Sequence, residues 1–166
     1  MAKKLKILIF PDPKLRIVAE EVKNFDKCLE SLAENMLATM YAENGIGLAA
    51  TQVDEHVRLV VMDLSENGDD PLIFVNPEYK VLGDSKMFEF EEGCLSIPGF
   101  RENIIRPDKI ELKWFDLDGN SHKSKPEGLL TVCIQHEIDH LDGKLMVDYV
   151  SSLKRDRIKN KLIKRS

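Results

Sequence analysis

Gly128 to Leu141 reads GLLTVCIQHEIDHL, in which Leu129, Cys133, His136 and His140 fall on one stripe at helical spacing, with Gly143 placed to end the helix. On a helix, positions i and i+4 project from one face about 6 Å apart along the axis, so both imidazoles can reach one ion. Glu137 then stands about 100° round, a base beside the water in the open coordination position. HExxH is the spacing that a metal hydrolase needs. A pair of buried, satisfied histidines is the alternative reading of the same residues.

A catalytic site of this kind takes three protein ligands, so one more donor is required. The extended HExxHxxGxxH pattern would put a third His at position 146, which is Met146, and no Glu follows Glu137. The third ligand therefore lies upstream. Cys133 shares the histidine face, but seven residues separate it from His140, a rise of about 10.5 Å, too far for one ion. Cys133 is expected in the core, as is Cys28, which falls among Leu29, Leu32, Met36 and Met40 of an amphipathic helix. Cys94 differs, because Gly93 before it and Pro98-Gly99 after it mark irregular backbone that can bring a thiolate to an ion. A thiolate with two imidazoles suits zinc or ferrous iron, and sequence physics does not choose between them.

Gly45 to Gln52 reads GIGLAATQ and superficially matches a dinucleotide fingerprint. The context is reversed: a helix of about 26 to 41 precedes the glycines and a β-rich run, 57 to 63, follows. The alternative is a side-chain-free edge to which an extended peptide can bond. Gln52 reads either as a surface glutamine or as a donor to an oxygen gaining negative charge in acyl transfer.

GIGLAATQ at 45 to 52, EGCLS at 92 to 96 and QHEIDH at 135 to 140 together resemble the peptide deformylase family, as does PDPKLR at 11 to 16. The resemblance implies metal-dependent hydrolysis of the N-formyl group from the formyl-methionine of newly synthesised polypeptides, with release of formate. It implies Cys94, His136 and His140 as metal ligands, ferrous iron as the native ion, and zinc, nickel or cobalt as substitutes. By the same resemblance Glu137 is the general acid/base. The side chain of Gln52 and the backbone N–H of Leu95 are the oxyanion contacts, backbone of Ile46, Gly47 and Gly93 holds the substrate as an added strand, and Arg101 lies near the entrance. Ile46, Ile134 and Ile105 are the expected lining of a methionine pocket. Asp139 is expected to brace the helix by pairing with Arg106, since a buried carboxylate needs a cation. A general metallopeptidase and a non-catalytic, ribosome-associated metal-binding module are the rival readings.

With 166 residues and 43% hydrophobic content, one domain spanning 1–166 is expected. Alternation in Met87-Phe88-Glu89-Phe90 and Ile110-Glu111-Leu112-Lys113-Trp114, with an Asp118-Gly119 turn, gives antiparallel β-structure between two helices. The fold class is α+β: antiparallel sheets around a central helix carrying HExxH, with an N-terminal amphipathic helix and a C-terminal helix. Three cysteines, one of them in the site, make no disulfide framework. MAKKLKILIF is too short an apolar run for a signal peptide and no segment approaches a membrane span, so a bacterial-type cytoplasmic monomer is expected. The net charge of −5 hides an asymmetry, since residues 151–166 carry seven Lys/Arg against Asp156, a local +6 that leaves −11 for the rest. Such a basic tail is either a solvated terminal helix or a contact for a polyanion. The resemblance favours the second, with the ribosome as partner.

Overall fold

The chain was analysed as a computed structural model that describes residues 1–165; Ser166, the end of the expected basic tail, lies outside the described residues. In chain order its elements are α1 (Lys27–Ala42), β1 (Gly47–Ala49), β2 (Leu59–Met62), β3 (Leu72–Val81), β4 (Met87–Gly93), β5 (Arg101–Pro107), β6 (Ile110–Phe115), β7 (Ser121–Ser124), α2 (Leu129–Leu141) and α3 (Ser152–Arg165). Five strands form one sheet in the order β1-β2-β3-β6-β7, and β4 pairs with β5 in a second. All of these pairings are antiparallel, which is the α+β arrangement expected from the sequence.

The interior position of β2, between β1 and β3, explains how the layers assemble. An antiparallel strand with one wet face buries alternate residues, yet all four side chains of β2 are buried. Val60 and Met62 pack with Ile134, Ile138 and Leu141 of α2, whereas Leu59 and Val61 pack with Leu29, Ala33, Met36 and Met40 of α1. The sheet is thus covered on both faces here, and each fully buried aliphatic side chain contributes roughly 1.5–3 kcal/mol.

Helix α1 starts where the Asp26 carboxylate accepts the Leu29 N–H at 3.1 Å. Its inward residues begin at Leu29, and Cys28, about 100° away on the wheel, is exposed. The expectation of a buried Cys28 is therefore corrected: it adjoins the apolar stripe without belonging to it.

Helix α2 is buried all round from Thr131 to Leu141, more than a single stripe requires. The five-stranded sheet covers one side, while β4 and β5 bring polar partners to the other through Glu92 and Arg106. The helix ends at Asp142, followed by Gly143 at φ 76°. A Cβ there would also stand 2.6 Å from the Arg16 carbonyl oxygen, so both conformation and space demand glycine.

Helix α3 is seated on the body of the protein. Ile158 and Leu162, one turn apart, pack with Leu8, Phe10, Leu15 and Ile104, and Lys154 pairs with Glu102 at 2.9 Å. Of its six other basic residues, Arg155 is half-buried, Lys161 and Arg165 lie over the ring of Phe100, and Arg157, Lys159 and Lys164 face solvent.

Candidate metal centre

Two turns of α2 and the residue after β4 meet at one point. His136 Nε2 and His140 Nε2 are 3.2 Å apart, and Cys94 Sγ is 3.3 Å from His140 Nε2. The three donor atoms all lie within 4.8 Å of one another. Ligands held tetrahedrally at 2.0–2.3 Å from an ion stand about 3.3–3.8 Å apart, so this spacing fits a first-row divalent metal. The donor chemistry fits as well, since burial and the neighbouring His136 depress His140 and keep its imidazole neutral. Cys133 stays out of this group; burial, with Glu137 and Glu92 nearby, pushes its thiol up to about 12, so it is protonated and behaves as core.

Bracing for the ligands comes from a buried ion-pair cluster. Glu92 Oε1 is 2.8 Å from His136 Nδ1 and 2.9 Å from Arg106 Nη2, while Glu92 Oε2 accepts from Arg106 Nε at 2.5 Å. Burial opposes ionisation of Glu92, but Arg106 and His136 outweigh it and hold its carboxyl below the usual range. An ionised carboxylate only accepts, so His136 Nδ1 carries a proton; burial disfavours the charged ring, but Cys94 and Glu92 outweigh it and raise His136 well above the ordinary imidazole value, so an ion would bind at Nε2 by displacing a proton. The expected Asp139–Arg106 pair is present at 2.9 Å. Glu92 and Tyr149, whose hydroxyl donates to Asp139 at 2.6 Å, were not singled out by sequence reasoning. For Glu92 a signal existed: the inward alternation of Phe88 and Phe90 on β4 continues to position 92.

A cavity of about 810 Å³ opens beside the cluster, with Gly45–Gly47 on one wall and Phe90–Leu95 on the other. Gln52, Ile46, Gly47, Gly93, Leu95 and Arg101 all line it. Gln52 is buried to 1% exposure, which excludes a surface role. Its Oε1 accepts from the Ala49 N–H at 3.0 Å, and its Nε2 donates to Ser96 Oγ at 3.0 Å and lies 3.6 Å from Cys94 Sγ. Arg101, an exposed member of the lining, is paired with Glu91 at 2.6 Å. Glu137 faces the cavity, and its Oε2 is buried with no hydrogen-bond partner among the described residues. Burial pushes this carboxyl up to about 7, against the opposing pull of His136.

Two of the expected pocket residues are elsewhere. Ile134 is fully buried in the core under the sheet, and Ile105 is 56% exposed on β5. Ile46 does line the cavity, and Phe90, Leu129, Val132 and Cys133 are among its other apolar lining residues. The helical wheel carries the signal, because 129, 132, 133 and 136 share a face and 134 is roughly opposite 136.

A family model described as polypeptide deformylase matches residues 4–156. The chain is 57% identical to a peptide deformylase of Stutzerimonas stutzeri and 56% identical to one of Pseudomonas aeruginosa, each alignment covering 96% of this chain and 95% of the relative. Among solved structures, the peptide deformylase of Ehrlichia chaffeensis in complex with actinonin superposes with a TM-score of 0.93 at 36% identity, over 99% of this chain and 98% of that one. A peptide deformylase from Legionella pneumophila gives 0.89 at 44% identity, over 97% and 94%. Similarity of this extent over nearly the whole chain, in sequence and in fold, establishes that the protein belongs to the polypeptide deformylase family.

Proposed function

We propose that this chain, acting as one catalytic domain over residues 1–166, hydrolyses the N-formyl group from the formyl-methionine of newly synthesised polypeptides and releases formate. The observation that carries the reading is Glu137, a buried carboxylate held near neutrality beside a Cys-His-His cluster and facing a cavity. Cys94, His136 and His140 would hold the ion, ferrous iron by family resemblance, with zinc, nickel or cobalt as substitutes. When bound, such an ion lowers the pKa of a coordinated water from about 15.7 towards about 7 and polarises the formyl oxygen.

The chain's own groups do the rest. Glu137 Oε2, unpartnered among the described residues, takes the proton of the attacking water and returns it to the departing amine. The Gln52 side-chain amide and the Leu95 N–H donate to the formyl oxygen as it gains negative charge. β1 is the outer strand of its sheet and β4 has a partner on one side only, so an extended peptide between Ile46-Gly47 and Gly93 completes two strand edges at once. Phe90, Leu129, Val132 and Cys133 with Ile46 offer an apolar wall to the methionine side chain, and Arg101 stands where the following residues leave.

In this reading the enzyme works in the cytoplasm as a monomer; among the described residues no helix is long and apolar enough to cross a membrane. The exposed basic residues of α3 dock on the ribosome. Salt-sensitive cosedimentation with ribosomes that survives Arg157→Glu, Lys159→Glu and Lys164→Glu together would count against this contact.

The activity is tested by formate release from a formyl-methionyl peptide, beside its acetylated counterpart and a casein digest. Only the formylated substrate is expected to turn over. The Glu137→Ala variant is expected to keep its metal and lose turnover by about 10²–10⁴-fold. Metal-loaded protein that releases no formate, or a Glu137→Ala variant as active as the unchanged chain, sinks the proposal.

A further inference from the structure

We propose that Tyr149 is a positioning residue for the metal centre, acting through Asp139, Arg106 and Glu92 on the ring of His136; the inference rests on the reading of Cys94, His136 and His140 as metal ligands. Arg106, Glu92 and Asp139 are 3%, 5% and 6% exposed, so one guanidinium holds two carboxylates away from water. One cation does not neutralise two such anions, and the second carboxylate needs another donor. Tyr149 supplies it. Its hydroxyl donates at 2.6 Å to Asp139 Oδ2, the oxygen that Arg106 Nη1 reaches at 2.9 Å. Its ring also lies 4.9 Å from the guanidinium carbon, a cation–π contact that holds the same group from the side.

Loss of the hydroxyl alone leaves Asp139 dependent on Arg106. The guanidinium is then drawn towards Asp139 and away from Glu92, whose Oε1 is shared between Arg106 Nη2 at 2.9 Å and His136 Nδ1 at 2.8 Å. A shift of Glu92 turns the His136 ring, and His136 Nε2 moves with it. Tyr149 lies in the 3-10 turn Met146–Tyr149, just before α3. The ligand geometry is therefore tied to the segment that leads into the C-terminal helix.

Tyr149→Phe removes the hydroxyl and keeps the ring over Arg106. The protein is loaded with zinc, and release to a chelator is timed; the cobalt(II)-substituted protein gives a visible spectrum that reports thiolate and imidazole geometry. The variant is expected to release zinc about tenfold faster, the lower end of the range for groups that orient a metal ligand, and to shift the cobalt bands. The metal-free variant should lose only the few degrees of melting temperature that one hydrogen bond to a charged group accounts for, so release is timed well below both transitions. Tyr41→Phe is the comparison, since Tyr41 also donates to a carboxylate, that of Asp63 at 2.5 Å, away from the ligands. Its release rate should equal that of the unchanged chain. An unaltered rate in Tyr149→Phe, or equal acceleration in Tyr41→Phe, overturns the inference and leaves the metal reading standing. Failure of the unchanged chain to bind zinc or cobalt stoichiometrically overturns both.

Discussion

At the scale of single residues, Gly47 shows how tightly the site is built. A Cβ at this position would stand 2.8 Å from Glu137 Oε1 and 3.3 Å from the two carbons behind it. Glu137 is 5% exposed, so its carboxylate cannot swing away without leaving the place where a proton must be taken. Gly47→Ala is therefore expected to lower kcat by about 10²-fold, the cost of a displacement of about 1 Å in a reacting group. Metal content should stay at the level of the unchanged chain, because the ligands do not touch the added methyl. A kcat within twofold of the unchanged enzyme would show that the carboxylate has room to move. The candidate ligand set was readable from residue types and local backbone, since HExxH offers two donors and irregular backbone around Cys94 favours the third, and the fold brings the three donor atoms within 4.8 Å of one another. The placement of Gln52 was not, because spacing says nothing about burial; only the fold shows its amide buried and pinned by Ala49 and Ser96.

Elements carry the next level of constraint, and here the ion-pair cluster between β4, β5 and α2 decides stability. Arg106→Met replaces the guanidinium by an apolar side chain and leaves Glu92 and Asp139 as unpaired buried carboxylates. Removing one partner of such a buried pair costs about 3–5 kcal/mol, so denaturant unfolding of the metal-free protein at neutral pH should shift by that amount. A loss below about 1 kcal/mol would mean that water reaches the carboxylates. Of this cluster, Asp139 and Arg106 were legible because the helical period buries position 139 and a buried acid needs a cation. Glu92 was missed where strand alternation was not carried one step past Phe90. Cys28 and Ile134 fail for a related reason: each lies one or two residues from a correctly read stripe, and on a helix one residue is about 100°. The pairing order β1-β2-β3-β6-β7 was beyond sequence reasoning, since a three-residue strand such as β1 has no period to detect.

Over the whole molecule, carboxylates with several ion-pair or hydrogen-bond partners tie distant segments together and set how the fold responds to acid. Asp148 joins the N-terminal turn to the segment before α3 through Arg16, and Glu111 gathers Lys80 and Lys123 across β3, β6 and β7. Asp63 fastens the loop after β2 to α1, accepting from Ser65 Oγ, the Ser65 and Asp70 N–H groups and Tyr41. The donors from Ser65 and Tyr41 outweigh the cost of desolvation and lower its pKa from 3.8 to about 2. A group whose pKa is lower in the folded state binds protons more tightly when unfolded, so its stabilisation is complete above the unfolded value and is lost as pH falls through the folded one. For Asp63 that window runs from about pH 4 down to about pH 2. His140, which burial and the neighbouring His136 depress, also titrates in acid, and a comparison with Asp63→Asn cancels it because the variant retains the same centre. The denaturant midpoint of Asp63→Asn should lie below that of the unchanged chain at pH 6, and the gap should close between about pH 4 and pH 2. A gap that stays constant over that range would show that the ionised carboxylate of Asp63 contributes nothing and that the loop is held by packing alone.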